Sequence, residues 1–133
     1  MIEVELRGAR LLAGRLPAAE LRELCELSAA RLGVEDGHVA VEIVEEPRIA
    51  ELNATHRGRH EPTDVLSFPI DGAEPLPGEA PRELGDIVIC LEQTVEVREA
   101  VVHGMLHLLG MDHERDAGEM LALQDELLAV HRT

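Results

Sequence analysis

The first part of the chain shows two different spacings of apolar residues. Residues 2–6 alternate between apolar and charged side chains, which predicts a half-buried strand. After Pro17 the apolar positions recur three and four residues apart until Gly33. That spacing predicts an amphipathic helix with proline in its first turn and glycine just past its end. One stripe of this helix consists of Leu21, Leu24, Cys25, Ser28 and Leu32.

The middle of the chain predicts three more strands and one short helix. Residues 39–44 and 65–70 are predicted strands, and a short helix over residues 47–53 lies between them. Residues 71–85 are rich in Gly, Pro and Glu, which predicts an exposed loop. Residues 87–91 are almost entirely apolar, as in a strand covered on both faces, so we expect them in an inner position of the sheet.

Two helices are predicted in the last part of the chain. One runs up to Gly110, and the other covers about residues 117–130, with Asp116 and Glu119 at capping-box spacing. The resulting order is β-α-β-α-β-β-α-α. It predicts an α/β (α+β) fold in which a mixed sheet of about four strands is packed with helices. Since no internal repeat or long linker divides the chain, we expect residues 1–133 to form a single domain.

The composition first argues against a nucleic-acid partner. The 133 residues carry 12 basic side chains, all arginine, against 27 acidic ones, for a formal net charge of −15. Nucleic-acid binders usually present a basic surface that displaces phosphate counterions. Phe68 is the only aromatic residue, which excludes a sheet that stacks bases. Composition alone therefore predicts an acidic cytoplasmic protein with no polyanionic partner, neither RNA nor DNA, and with no membrane partner; it leaves the oligomeric state open.

The two cysteines fit that compartment. Cys25 and Cys90 are too few for a disulfide framework and have no C-x-x-C spacing. Both lie among apolar residues, so we expect buried, reduced core side chains. Reduced cysteines are typical of the cytoplasm.

The strongest chemical signal is a run of histidines near the last predicted turn. His103 and His107 are four residues apart, so on a helix they lie on the same face and can bind one metal ion. Gly110 then lets the chain leave helical geometry and bring His113 to the same point. Three imidazoles with an open fourth position are typical of catalytic zinc. Three imidazoles also accept nickel, copper or iron.

The spacing is that of the metzincin peptidases, H-E-x-x-H-x-x-G-x-x-H, with one departure. Gly104 stands where those enzymes carry the glutamate that activates the zinc-bound water. Glycine cannot move a proton. The metzincin-like three-histidine zinc site therefore lacks the general base of those peptidases, which argues against a peptidase.

Three sequence blocks together resemble the YbeY family of bacterial ribosomal-RNA maturation factors, which are zinc-dependent endoribonucleases. The blocks are NATHRGRHEPTDVLSFP at 53–69, GDIVI at 85–89 and HGMLHLLGMDH at 103–113. The resemblance covers about residues 39–128. It implies a four-stranded sheet with helices, one zinc ion on His103, His107 and His113, and a functional arginine at Arg57. It also implies single-stranded RNA as substrate, maturation of small-subunit ribosomal RNA, and association with ribosomes or ribosomal proteins.

The chain departs from the family pattern in two places. His56 stands where an aromatic residue is common before the arginine. Residues 91–102 alone separate the fourth strand from the first histidine, where family members usually have a longer connection. Either the protein is compact there, or the printed sequence omits a stretch near residues 95–97, and we favour the omission.

Phosphodiester cleavage also needs a group that compensates charge on the phosphoryl oxygens. A planar guanidinium does so through paired hydrogen bonds. Given the resemblance, we expect Arg57 to be the phosphate and transition-state clamp and to bind substrate, with Arg59 as a weaker helper. The general base is unassigned. Asp112 either orients an imidazole or caps the turn after Gly110, and the nucleophile is zinc-bound hydroxide or the 2′-hydroxyl of the RNA.

Three functions are compatible with these residues. The first is a zinc endoribonuclease specific for single strands that acts in ribosomal-RNA processing and ribosome biogenesis. The second is a metallopeptidase-like zinc hydrolase of peptides or amides, which Gly104 opposes. The third is a ribosome-assembly factor whose metal is mainly structural.

The charge distribution changes the first conclusion about RNA. Residues 53–60 contain no acidic side chain but hold Arg57, Arg59, His56 and His60. At about 0.15 M salt the screening length is roughly 8 Å, so distant carboxylates have little effect there. We therefore expect one basic segment facing the metal, and weak RNA affinity elsewhere on the surface.

Overall fold

The computed structural model describes residues 1–71 and 82–132, which form one α+β fold around a four-stranded mixed sheet. The strands are β1 (Ile2–Arg7), β2 (Gly37–Val44), β3 (Val65–Pro69) and β4 (Glu83–Cys90). Their order in the sheet is β1-β2-β4-β3. β1 and β4 run parallel to β2, whereas β3 runs antiparallel to β4. The predicted fold class and the inner position of the fourth strand are confirmed.

Four α-helices cover this sheet. They are α1 (Ala18–Arg31), α2 (Glu46–Arg57), α3 (Val97–Leu108) and α4 (Glu119–Arg132). Short 3-10 turns at Ala9–Leu12 and Leu91–Gln93 complete the order of elements, which is otherwise the predicted one.

The sheet separates a large core from a small one. Ile87 and Ile89 of β4 pack in the large core with buried residues of α1, α3 and α4. Val88 and Cys90 point to the other face and pack in the small core against Ile49 of α2. Because β4 is buried on both faces, its sequence is almost continuously apolar.

Two predicted boundaries are wrong. α2 does not end near residue 53 but continues to Arg57, where Gly58 takes a left-handed conformation (φ 73°) and its N–H donates to the Ala54 carbonyl at 3.0 Å. β4 begins at Glu83 rather than at residue 87, since Asp71 and Glu83 already pair there through the Asp71 N–H and the Glu83 carbonyl (2.8 Å). The rest of the predicted loop, residues 72–81, lies outside the described residues.

Asp116 and Glu119, the two carboxylates predicted to form a capping box, do cap the start of α4. Each bonds a backbone N–H that is one position away from the one used in a regular capping box. The Asp116 carboxylate accepts from the N–H groups of Gly118 (2.8 Å) and Met120 (3.0 Å), and Glu119 accepts from Ala117 (2.7 Å). Asp116 and Glu119 therefore satisfy backbone donors at the point where the chain turns into α4.

The connection between β4 and α3 is compact. It consists of the 3-10 turn Leu91–Gln93 and residues 94–96, after which the Glu96 carboxylate accepts from the Arg98 N–H at 3.1 Å and caps α3. Arg15 donates to the carbonyls of Leu91 (3.0 Å) and Thr94 (2.8 Å) and fastens the turn to the rest of the fold. The compact alternative is thus the one that the structure describes.

Cys25 and Cys90 are free and buried, as predicted. Burial is the main reason why the pKa of the Cys25 thiol is raised to about 12, with the nearby Glu26 acting in the same direction. Such a thiol stays protonated and unreactive. Among the described parts of the chain, no helix has both the length and the apolar character that crossing a membrane requires.

Candidate metal centre

Two of the three histidines are placed by one helix. His103 and His107 lie on α3 and are half-buried, while the buried apolar side chains of the same helix pack in the large core. Because the two residues are four apart, their rings stand next to each other, with centroids 4.7 Å apart. The predicted placement of His103 and His107 on one face of a helix is confirmed.

The third histidine is brought back by the turn that ends α3. The N–H of Gly110 donates to the His107 carbonyl (3.1 Å), and the N–H of Met111 donates to the Leu106 carbonyl (3.0 Å). These two bonds form a Schellman motif, which requires the left-handed conformation of Gly110 (φ 99°). The chain therefore reverses within three residues and places His113 opposite the helix.

The three rings enclose one point. The centroid of the His113 ring lies 5.0 Å from that of His103 and 5.3 Å from that of His107. One ring nitrogen of each residue lies within 4.8 Å of the others. All three side chains are half-buried. The arrangement can hold one metal ion on three nitrogen ligands and leaves the outer side open.

Two of the rings have a partner that fixes their orientation. The amide oxygen Oε1 of Gln124, on α4, lies 2.9 Å from Nδ1 of His103, which leaves Nε2 for a metal. The ring of His107 is hydrogen-bonded to the Met111 backbone. Nδ1 of His113 is buried without a hydrogen-bond partner in the described chain. An orphaned imidazole nitrogen beside two oriented rings fits a metal-binding role.

The His107 ring is held in the form that binds metal. Burial lowers its pKa below the ordinary value of 6.5, and the neighbouring rings of His103 and His113 lower it further. The backbone hydrogen bond and Asp112 act in the opposite direction but are weaker. Because a metal ligand must be the neutral imidazole, a lowered pKa keeps His107 ready to bind at neutral pH.

The three histidines lie at the bottom of a cleft of about 290 Å³ between α2, β3 and the turn after α3. Arg57 lines this cleft from the last turn of α2, beyond residue 53, where the sequence predicted that the helix ends. Arg59 is exposed and does not belong to the residues that line the cleft. The remaining lining residues are His56, Thr63, Asp64, Val65, Leu66, Ser67, Pro69 and Glu114.

His56 also has a defined neighbour. Its ring contacts that of Phe68 edge-on, with centroids 4.6 Å apart and planes at 60°. His56 thus packs against Phe68, and it is exposed and lines the cleft. The contact attaches the end of α2, and with it Arg57, to β3.

The carboxylates near the three histidines differ in what they contact. Asp112 accepts from the Glu114 N–H (3.0 Å) and pairs with Arg115 (3.4 Å), so it stabilises the turn. Asp64 accepts from the Val65 N–H at 2.8 Å. Asp86 points to the opposite sheet face beside Phe68 and Val88. Glu114 is exposed, lines the cleft and directly follows His113.

Sequence reasoning missed Gln124 and Glu114. Gln124 is separated from His103 by 21 residues, and only the packing of α4 on α3 brings them together. Glu114 stands beside a recognised ligand, but the direction of its side chain depends on the turn. The one signal in the sequence is that Gln124 is a polar residue at a position of the amphipathic helix that is expected to be buried.

Comparison with known proteins identifies close matches over most of the chain. The family described as Endoribonuclease YbeY matches residues 16–132. A protein named Endoribonuclease YbeY from Bacillus cytotoxicus is 39% identical over an alignment length of 130, and the match covers 83% of this chain and 83% of that protein. The protein of the same name from Symbiobacterium thermophilum is 41% identical over an alignment length of 121, and the match covers 78% of this chain and 77% of that protein.

A solved structure has the same fold. The solution structure of TM1509 from Thermotoga maritima superimposes with a TM-score of 0.58 at 32% sequence identity. The match covers 98% of this chain and 89% of the other. The arrangement of sheet and helices described above is therefore shared with a relative whose structure is known.

Proposed function

The chain belongs to the YbeY endoribonuclease family, and on that premise we propose that it is a zinc-dependent enzyme that cleaves single-stranded RNA. The observation that carries this proposal is the convergence of His103, His107, His113 and Arg57 on one open cleft. The cleft joins a candidate three-nitrogen metal site to a guanidinium, and both features can stabilise the charge that develops in phosphodiester cleavage.

The three histidines hold the metal in this mechanism. Neutral imidazoles would leave the full charge of a divalent ion uncompensated, so the chemistry that a bound ion would supply here is that of a Lewis acid toward water and a phosphoryl oxygen. Zinc suits three nitrogen ligands with one open position, although other divalent transition metals accept the same ligands.

Arg57 orients the substrate. Its guanidinium donates paired hydrogen bonds to the phosphoryl oxygens and compensates the charge that builds up on them during cleavage. The helix that carries Arg57 is fixed by Gly58 at its end and by the contact between His56 and Phe68. A fixed clamp contributes more than a mobile one, because it does not have to be ordered when the reaction occurs.

Glu114 is our candidate for the proton acceptor. Asp64 also lines the cleft, but its carboxylate, like that of Asp112, accepts a backbone hydrogen bond, whereas Glu114 lines the cleft directly beside a proposed metal ligand. A carboxylate there can take the proton of the attacking hydroxyl, from water or from the 2′-hydroxyl of the RNA. The ends of the products separate these routes, since only the 2′-hydroxyl route leaves a cyclic phosphate.

The charge of the cleft explains how RNA is held by so acidic a protein. Arg57 is opposed there by Asp64 and Glu114, so the cleft is formally negative without metal and positive with a divalent ion. RNA affinity should therefore be weak outside the loaded cleft. For this reason we propose that a ribosomal partner supplies recognition, with ribosomal RNA as the substrate and processing of the small-subunit RNA in the cytoplasm as the setting.

The proposal is tested by comparing substrates. Purified protein is offered single-stranded RNA and a casein-type protein, each with the wild type and the Arg57→Ala variant. We expect RNA cleavage by the wild type only and no proteolysis. Cleavage of casein without cleavage of RNA would instead indicate a peptide hydrolase. RNA turnover that is insensitive to chelation and to the substitution would indicate a contaminant and favour an assembly factor.

A further inference from the structure

Gln124 is the one nearly fully buried polar side chain of the described residues that contacts a histidine of the metal centre. It is 4% exposed and lies on α4, in the row of buried positions that packs this helix on α3. Its Oε1 lies 2.9 Å from Nδ1 of His103. Burying an amide among leucines costs free energy unless its polar atoms are bonded, so a purely packing role would be better served by leucine.

We propose that Gln124 is a positioning residue that selects the metal-binding tautomer of His103. This inference rests on the proposed metal centre and extends it to α4. An amide oxygen can only accept a hydrogen bond, so it requires the proton of the neutral ring to be on Nδ1. The lone pair is then on Nε2, the nitrogen left for the metal. The same bond fixes the rotation of the ring about its axis.

The bond also couples α4 to the metal. α4 is also held by apolar packing of Met120, Leu123, Leu127 and Leu128. Two side-chain pairs with α1, Glu126 with Arg31 and His131 with Glu23, join it at the surface. A hydrogen bond to a ligand ring connects its docking to the occupancy of the centre, because a metal on Nε2 strengthens the donor on Nδ1. Metal binding should accordingly protect the α4 backbone from hydrogen exchange.

Three variants separate positioning from packing. Gln124→Leu keeps size and burial but removes the acceptor. Gln124→Glu keeps an acceptor, and a carboxylate strengthens the bond. Asp125→Asn is the matched control, since Asp125 is the exposed neighbour on the same helix. The measurement is zinc affinity by competition with a chelating dye, together with the melting midpoint of each metal-free protein.

We expect zinc to bind Gln124→Leu about 10- to 100-fold more weakly than the wild type, as for other partners of metal-binding histidines. The metal-free melting midpoint of Gln124→Leu should not fall. Gln124→Glu should bind zinc at least as tightly as the wild type, and Asp125→Asn should equal it. Equal zinc affinity of the wild type and Gln124→Leu would overturn the inference while leaving the metal centre intact. A wild type that binds no zinc would refute the proposed centre itself.

If Gln124→Leu does not fold, the wild type alone still provides a test. A long-range proton–nitrogen NMR spectrum of the histidine rings assigns the tautomer of His103 in the zinc-loaded protein. A proton on Nδ1 supports the inference, and a proton on Nε2 contradicts it.

Discussion

Gly104 of α3 lies directly against Ile87 of β4. A Cβ atom at position 104 would come within 2.7 Å of the Ile87 Cγ2 atom and 3.2 Å of its Cδ1 atom. The position that carries the catalytic glutamate in metzincins therefore faces the sheet in this protein and not the cleft. The close packing of α3 on β4 leaves no room at this position for a glutamate side chain, which the peptidases that share this histidine spacing carry.

The close contact between Gly104 and Ile87 predicts that the Gly104→Ala substitution destabilises the protein. Gly104→Ala would normally stabilise a helix by up to about 1 kcal/mol. Here the added methyl group displaces the β-branched Ile87, so we expect a net loss of about 1–3 kcal/mol in the free energy of unfolding. Urea unfolding of the two proteins measures it.

A double-mutant cycle provides the control. Ile87→Ala removes the atoms that an alanine at 104 would meet, so Gly104→Ala should cost much less in that background. If both backgrounds lose the same free energy, the close contact is not the reason for glycine.

The two arginines near the cleft form a matched pair. Arg57 lines the cleft, whereas Arg59, two residues later, does not. We expect Arg57→Ala to lower the kcat for RNA cleavage by about 100-fold, the size of effect seen when one charge-stabilising donor is removed. Single-turnover cleavage of a labelled single strand measures the rate.

Arg59→Ala should leave that rate nearly unchanged. A similar loss in both variants would mean that the arginines act through the general charge of residues 53–60. Activity would then depend on salt more than on geometry, and the clamp assigned to Arg57 would be wrong.

Metal removal should destabilise the protein. The three ligands come from α3 and from the turn that leads to α4, so an ion bound to all three ties these segments together. A ligand at a hundredfold excess over its Kd adds about 2.7 kcal/mol to the folded state. Chelation should lower the melting midpoint of the wild type but not that of His113→Ala, which lacks a ligand. An unchanged wild-type midpoint would contradict this account.

The stability of the metal-free protein should depend on the protonation of His107. Its pKa is lowered by burial and by its histidine neighbours, so the unfolded chain, with a pKa near 6.5, binds the proton more readily. The contribution of His107 is present above about pH 6.5 and is lost as the pH falls through the folded pKa. Urea unfolding of chelator-treated protein between pH 7.5 and 5 should show a shallower decline for His107→Gln. Equal declines would contradict the shift.

The fold was largely predictable because burial in this protein follows simple periodicities. The helix α1 was marked by its apolar stripe, and β4 by its apolar run. The predicted end of α2 and the predicted start of β4 were wrong because neither is determined by the spacing of apolar residues. α2 includes residues 55–57, none of which is apolar, and it ends where Gly58 adopts a left-handed conformation. β4 starts early because its first residues pair with β2 and β3, and sequence alone does not show pairing.

The metal site was predictable to the extent that it is local. His103, His107 and His113 lie within eleven residues, and the helix period with Gly110 determines how they meet. Gln124 and the placement of Arg57 next to the metal site depend on tertiary packing between distant segments. The different positions of Arg57 and Arg59 follow from where α2 ends, which the sequence did not predict.

Removal and return of the metal tests most directly whether the three-histidine centre cleaves RNA. Purified protein is treated with a chelator, assayed on a labelled single-stranded RNA, and assayed again after zinc is added, alongside His107→Ala. We expect chelation to abolish cleavage, zinc to restore it, and His107→Ala to stay inactive under every condition. Full cleavage by the chelated wild type or by His107→Ala would show that the three-histidine centre is not the site of a metal-dependent ribonuclease.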